Sequence, residues 1–104
     1  MRIKLRPSDI AFSRYIRIRD RWTCQRCGSV REGGQQASHY FGRAREYTRF
    51  DPQNVDTLCA ACHRIWGSDD REAYRNFKIR QLGQAGYDRL VLKNSQYCKR
   101  DDVL

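Results

Sequence analysis

Apolar residues first recur at helical spacing early in the chain: Ala11, Phe12, Tyr15, Ile16, Ile18 and Trp22 fall on one side of a helical projection, with Ser8 and Asp9 where a cap belongs. This pattern predicts a helix running to about Trp22 with that side buried. Arg14, Arg17 and Arg21 follow at steps of three and four beside it and would form one basic stripe. Residues 28–37, with Gly28, Gly33 and Gly34, read as turn and loop. Residues 37–50 mix aromatics, arginines and Thr48 in a pattern that suits two short strands.

Asp51, Pro52, Gln53 and Asn54 form a turn signal, after which Val55 to Leu58 leads into a helix beginning near Ala60. A further helical run starts at Ser68 or Asp69, with Ala73, Tyr74, Phe77, Ile79 and Leu82 apolar and Gly83 as its stop. Residues 87–96 suit one more short helix. No internal repeat, low-complexity tract or long linker divides the chain, so residues 1–104 are expected to form one domain.

Composition sharpens this picture. A chain of 104 residues buries only about two-thirds of its unfolded surface, so its core must be thin and a covalent or metal staple is worth seeking. Lysine and arginine total 21 against 12 acidic residues, a net charge of +9, which points to a polyanionic partner. Of those cations 17 are arginines, the planar fork that grips phosphate oxygens in pairs. No stretch has the length of a signal peptide's apolar run or of a bilayer span, so a cytoplasmic protein with no membrane partner is expected.

Five cysteines in a reducing compartment are metal ligands before they are disulfides. Cys24 and Cys27 form one CxxC and Cys59 and Cys62 another, which together supply the four thiolates of a closed, structural zinc site; Cys98 is left over. A thiol redox protein explains two matched pairs less well than zinc does. The 31 residues between the pairs exceed the spacing of a bare zinc ribbon, so something is built between them. Both histidines lie in or beside that insertion. His39 stands in ASHYFGR, and His63 directly follows the last cysteine, so that the zinc would fix where it points.

Here the chain resembles the HNH, or His-Me finger, nucleases, in which a first histidine, a central asparagine and a last histidine or asparagine sit on a unit of two strands and a helix. The matching residues are His39, Asn54 and His63, at intervals of fifteen and nine residues inside the cysteine frame. The resemblance covers about residues 22–70. It implies an α+β fold, a small ββα-metal finger on a four-cysteine zinc ribbon with helical flanks on both sides. SHYFGR followed by RFDPQNVDTLCAACHRIWG also looks like the phage NinG-type recombination proteins and small phage-encoded zinc-ribbon HNH nucleases.

By that resemblance His39 is the general base that activates water, Asn54 holds the hairpin and orients His39, and His63 binds a catalytic Mg²⁺ or Mn²⁺ ion. The residue types suit those tasks. An imidazole is the base that works near neutral pH, and a hard cation neutralises charge on a scissile phosphate. An imidazole ligand favours manganese over magnesium. One departure is Ser38, where many relatives carry an aspartate or histidine; Ser38 itself, or Asp51, is then the candidate neighbour of the catalytic metal. The position four beyond His63, a histidine in some relatives, is Gly67.

Singly, these residues have plainer readings: a histidine held by structural hydrogen bonds, an asparagine capping a helix, a spare zinc ligand. Tyr40, Phe50, Tyr74 and Phe77 read as core, with Trp66 open between core and base-stacking. Taken together, the residues predict a DNA endonuclease that nicks one strand per encounter, acting as a monomer or weak homodimer. Arg14, Arg17, Arg21, Arg43 and Arg45 are its candidate DNA contacts. The competing expectation is a non-catalytic zinc-stapled DNA-binding module, which needs the cysteines and arginines but not His39, Asn54 and His63 at these intervals.

Overall fold

In a computed structural model that describes residues 4–96, the chain folds as a small α+β protein whose elements run α1 (Pro7–Arg19), β1 (Gln36–His39), α2 (Glu46–Arg49), β2 (Val55–Leu58), α3 (Ala60–Arg64) and α4 (Arg71–Ser95). Cys98 lies outside the described residues. None of the helices among them is long and apolar enough to cross a membrane.

Helix α1 starts two or three residues earlier than the apolar pattern suggests, capped at Arg6 with Pro7 opening it, and the Asp9 carboxylate accepts from the Arg6 backbone N–H at 2.7 Å. It also stops sooner. Arg21 and Trp22 take left-handed backbone conformations (φ 54° and 58°), which turn the chain back toward the cysteine loop. Arg21 is therefore not on the helix, and the three-arginine stripe is reduced to Arg14 and Arg17. The buried side is narrower than expected too: Ile16 is fully buried, Phe12 and Trp22 are half-buried, and Ala11, Tyr15 and Ile18 are exposed.

The two strands pair antiparallel, with Gln36 opposite Leu58, Ser38 opposite Asp56 and His39 opposite Val55. Only one of them falls within 37–50. The second half of that segment forms the short helix α2, and its turn onto β2 is the single 3₁₀ turn Pro52–Asn54, capped by the Asp51 carboxylate accepting from Gln53 N–H at 2.9 Å. What overrides strand pairing there is burial of a charge: Arg49 is 4% exposed and its guanidinium grips both oxygens of buried Asp9 at 2.9 and 2.6 Å. The same guanidinium donates to the carbonyls of Arg43 and Lys4, so the loop closes around it as a helical turn.

Side chains alternate across the hairpin. Ser38 and Asp56 face α4, where Tyr74 Oη donates to Asp56 Oδ2 (3.0 Å) and lies 3.2 Å from Ser38 Oγ, and Lys78 Nζ pairs with Asp56 at 3.1 Å, the Lys78 and Asp56 side chains being fully buried. Gln81 completes the set by donating to Asp56 and accepting from Lys78. The other face meets α1, with Thr57 donating to the Ile16 carbonyl at 3.3 Å and the His39 ring beside that of Phe12. The core is correspondingly small and aromatic: Tyr40, Leu58, Trp66, Tyr74, Tyr87 and Leu90 with Cys24 and Cys62. Trp66 belongs to it, stacked on Tyr74 at 4.9 Å.

After α3 the chain widens into a π turn over Ile65–Asp69, closed by the bond from Asp70 N–H to the Ile65 carbonyl at 2.7 Å. Asp70, not Ser68 or Asp69, then caps α4 through the Ala73 N–H. Gly83 breaks α4 as anticipated, at φ 74° and ψ 162°, a conformation that glycine adopts without steric cost. The segment beyond it is helical again to Ser95, and it returns to the hairpin loops through Tyr87 Oη and Tyr40 Oη at 2.7 Å and through Lys93 and Asp51 at 2.8 Å.

The Asp9–Arg49 pair makes the fold acid-sensitive in a defined window. Arg49 holds the Asp9 carboxyl down at about 2 from an ordinary value of 3.8, so its stabilising effect is complete above that ordinary value and disappears as pH falls through about 4 to about 2. A thiolate-held metal is also released in that range, so urea denaturation at neutral pH is the measurement that isolates the pair. At neutral pH Asp9→Ala, which leaves Arg49 buried and unpaired, should cost about 3–5 kcal/mol.

Candidate functional site

The two CxxC loops converge. Thr23 and Val30 form an isolated bridge around the first, where Gly28 donates to the Cys24 carbonyl at 2.9 Å and holds φ 79°, the left-handed turn that lets Cys24 and Cys27 face the same way. In the second, Cys59 caps α3, its Sγ accepting from Cys62 N–H at 3.5 Å. The four sulfurs of Cys24, Cys27, Cys59 and Cys62 all lie within 4.8 Å of one another, and Cys27 and Cys59 stand 3.9 Å apart. Tetrahedral zinc, with Zn–S distances of about 2.3 Å, needs sulfurs about 3.8 Å apart. Four thiolates at this separation, two of them buried, therefore suit a metal such as zinc. The Ser29 hydroxyl beside Cys27, at 3.3 Å, holds that thiol down to about 6, and Arg26 donates to Cys62 Sγ at 3.4 Å.

Beside this cluster, β1, α3, the π turn and the start of α4 enclose a cleft of about 600 Å³. His39 and His63 both line it, as do Gln36, Arg64, Ser68 and Arg71. Strand β1 and the second cysteine loop thus bring together the two histidines that lie 24 residues apart in the chain, the difference of their numbers.

His39 is oriented from the α2 side. Its Nε2 lies 2.9 Å from the Arg49 carbonyl, which can only accept, so Nε2 carries the proton and Nδ1 keeps its lone pair. Burial, with the charge of Arg43 added, brings its pKa down from 6.5 to about 4, so the ring is neutral at pH 7. His63 is also lowered, first by burial and then by Arg43. Its Nδ1 lies 2.5 Å from Gln36 Oε1.

Asn54 is fully buried, and its side-chain hydrogen bonds go to residues other than His39. Its amide donates to the carbonyls of Phe41 and Thr48 and accepts from Phe41 N–H, all at 2.9 Å, which pins both ends of the loop whose last carbonyl holds His39. Ser38 lines the cleft but is 1% exposed, with its hydroxyl engaged by Tyr74. Asp51 is not brought to the cleft: it caps the 3₁₀ turn and pairs with Lys93. Among the arginines, Arg43 stands 3.6 Å from Asp9 with its Nε buried and unbonded. Arg45 and Arg14 are exposed, and Arg17 is held by the Ser13 and Gly34 carbonyls and by the Trp22 ring.

Three cleft residues had not been singled out from sequence. Arg64 and Arg71 reach it from α3 and α4, Arg71 lying over the Tyr40 ring (4.8 Å) and donating to the Tyr40 carbonyl at 2.8 Å. Gln36 opens β1. Nothing in the periodicity separates them from the chain's other arginines and glutamines, although the step from His63 to Arg64 and Arg71 is readable once the helix is known.

A family model described as bacteriophage lambda NinG protein matches residues 7–102. Comparison with curated proteins and with solved structures found no match.

The cysteine cluster predicts one zinc per chain by elemental analysis. Cys24→Ala, Cys27→Ala, Cys59→Ala and Cys62→Ala should each lose the metal and the cooperative unfolding transition, whereas Cys98→Ala should keep both. Zinc retained in two of the four single variants would refute a four-thiolate site.

Proposed function

The chain belongs to the family of the bacteriophage lambda NinG protein, and from that premise we propose that it is a zinc-stapled, metal-dependent DNA endonuclease whose chemistry is carried out in the cleft of His39 and His63. The observation that carries this reading is the state of His39: a neutral imidazole, proton on Nε2, lone pair on Nδ1, lining a cleft that a second histidine shares. In this reading β1, β2 and α3 are the two strands and helix of an HNH unit, and the cysteine cluster is its structural zinc.

His39 Nδ1 takes a proton from water as the water oxygen bonds to phosphorus. The bond from phosphorus to the departing sugar oxygen breaks, and that oxygen is protonated from solvent. Arg64 and Arg71 grip the phosphate oxygens, and Asn54 keeps the loop, and through it the Arg49 carbonyl, in place behind His39. Of the residues named for a catalytic cation, His63 would be the one left to hold it, since the Ser38 hydroxyl is taken by Tyr74 and Asp51 pairs with Lys93 away from the cleft. A single imidazole would suit Mn²⁺ better than Mg²⁺. When bound, the cation neutralises charge on the phosphate and the leaving oxygen.

Metal-stripped, zinc-reloaded protein should convert supercoiled plasmid first to nicked circle when Mn²⁺ is added. His39→Ala should lower the rate at least about 100-fold while retaining zinc and DNA binding. Because the His39 base form predominates above about pH 4, the rate should be level between pH 6 and 8 rather than falling below 6.5. A wild type that cuts with neither Mn²⁺ nor Mg²⁺, or a His39→Ala variant that cuts at the wild-type rate, would leave a zinc-stapled DNA-binding module in place of the enzyme.

A further inference from the structure

Two exposed arginines of α4 rest on tyrosine rings rather than on carboxylates. Tyr40 and Tyr87 meet hydroxyl to hydroxyl at 2.7 Å, with ring centroids 6.0 Å apart, and so join the residue after β1 to the far half of α4. Arg71 lies over the Tyr40 ring at 4.8 Å and the Tyr74 ring at 5.6 Å, and Arg75 lies over the Tyr87 ring at 5.8 Å. Both arginines are exposed, and neither enters an ion pair among the described residues. A guanidinium laid on a ring is held in place through its face, while the N–H groups along its edge stay available to a ligand. Arg71 gives one of them to the Tyr40 carbonyl at 2.8 Å and keeps the rest.

This surface starts in the cleft. Arg64 and Arg71 line it and none of its lining residues is acidic, so an anion there meets two guanidiniums and no carboxylate. Arg75 stands outside that lining, four residues on from Arg71 and so on the same side of α4, about 6 Å further along its axis. Successive phosphates of one strand can match such a step. We propose that the phosphodiester backbone of a nucleic acid leaves the cleft along the first turns of α4, with one phosphate held by Arg64 and Arg71 and a neighbouring phosphate by Arg75. The forked donors of a guanidinium suit the paired oxygens of each phosphate. The proposal rests on the reading of the cleft as the seat of a phosphodiester; it needs neither cleavage nor a cation.

The test follows binding of the full, zinc-loaded chain to a short fluorescein-labelled DNA duplex by anisotropy over a range of salt concentrations, without added Mn²⁺ or Mg²⁺. Arg75 is the residue to change, because its ring contact is its one recorded interaction and its removal leaves the Tyr40 carbonyl bonded to Arg71. Each phosphate contact on duplex DNA contributes about 0.9 to the slope of log affinity against log salt, so Arg75→Ala should flatten the slope by about that much. The loss should be equal on two duplexes of unrelated sequence, since backbone contacts carry no sequence information. Arg75→Lys, which keeps the charge without the fork, should restore the slope and only part of the affinity. Arg80→Ala removes an exposed charge from the same helix about 140° round from Arg75, and should leave slope and affinity unchanged. Zinc content should be the same throughout. A wild-type slope in Arg75→Ala, an equal loss in Arg80→Ala, or a wild type that does not bind DNA would overturn the proposal. So would a poly-glutamate peptide that displaces the duplex as well as unlabelled DNA does at equal charge, since the surface would then serve acidic protein segments. If Arg75→Ala binds like wild type while His39→Ala abolishes cutting, the path along α4 fails and the nuclease reading stands. If the Arg75-dependent slope is found in a protein that cuts with neither metal, the path stands and the nuclease reading fails.

Discussion

Residues 24 and 62 have to end at the same point in space. The requirement that four sulfurs lie within 4.8 Å closes a long insertion into a loop, and everything between the cysteine pairs is built under that closure. Once the loop is closed, β1 and β2 have little choice but to run antiparallel, because one leaves the first cysteine pair and the other returns to the second. The same closure puts His63, one residue past Cys62, at the mouth of the space that β1 lines. Among the described residues the core cluster has eight buried members, two of them the cysteines themselves, too few to impose that geometry by apolar burial alone.

Polar groups complete what the thin core leaves undone. Asp56, Lys78, Tyr74 and Ser38 form a buried set, closed from the surface by Gln81, in which each charge has a partner, and they weld one face of the hairpin to α4. Arg49 and Asp9 do the same between the loop and α1. Arg19 extends the theme, binding Asp20 with two hydrogen bonds and the Pro52 and Val55 carbonyls with two more. The arginine excess is therefore not all outward-facing charge. A good part of it satisfies backbone carbonyls where the chain has no regular partner for them.

The features legible in the sequence were those encoded locally. Two CxxC pairs, a Pro–Asn turn, a helix start near Ala60 and a glycine break at Gly83 each depend on residues within a few positions of one another. What could not be read depends on contacts between distant segments. Helix α2 replaces a strand because Arg49 is drawn to Asp9, forty residues away by their numbers, and α1 ends at Arg19 because Arg21 and Trp22 adopt left-handed turns that their residue types do not favour. The site follows the same division. His39, His63 and the cysteines stand out by type and interval, whereas Gln36 and Arg71 enter the cleft through strand register and helix phase. Asp51 was plausible as an oxygen donor by position, yet the capping of a turn directs it elsewhere, while Ser38 does line the cleft with its hydroxyl engaged by Tyr74.

The π turn at Ile65–Asp69 bears on how this chain can vary by descent. One such turn holds an extra residue relative to an α-helix, so a single-residue deletion there would yield a locally better helix. It would also rotate all that follows by about 100° relative to α3, since an α-helix completes a turn in about 3.6 residues. Arg71, Tyr74 and Lys78 would all leave their partners at once. Length within this turn is accordingly a more restrictive property than residue identity, and insertions or deletions should be tolerated on its outer loops long before they are tolerated here.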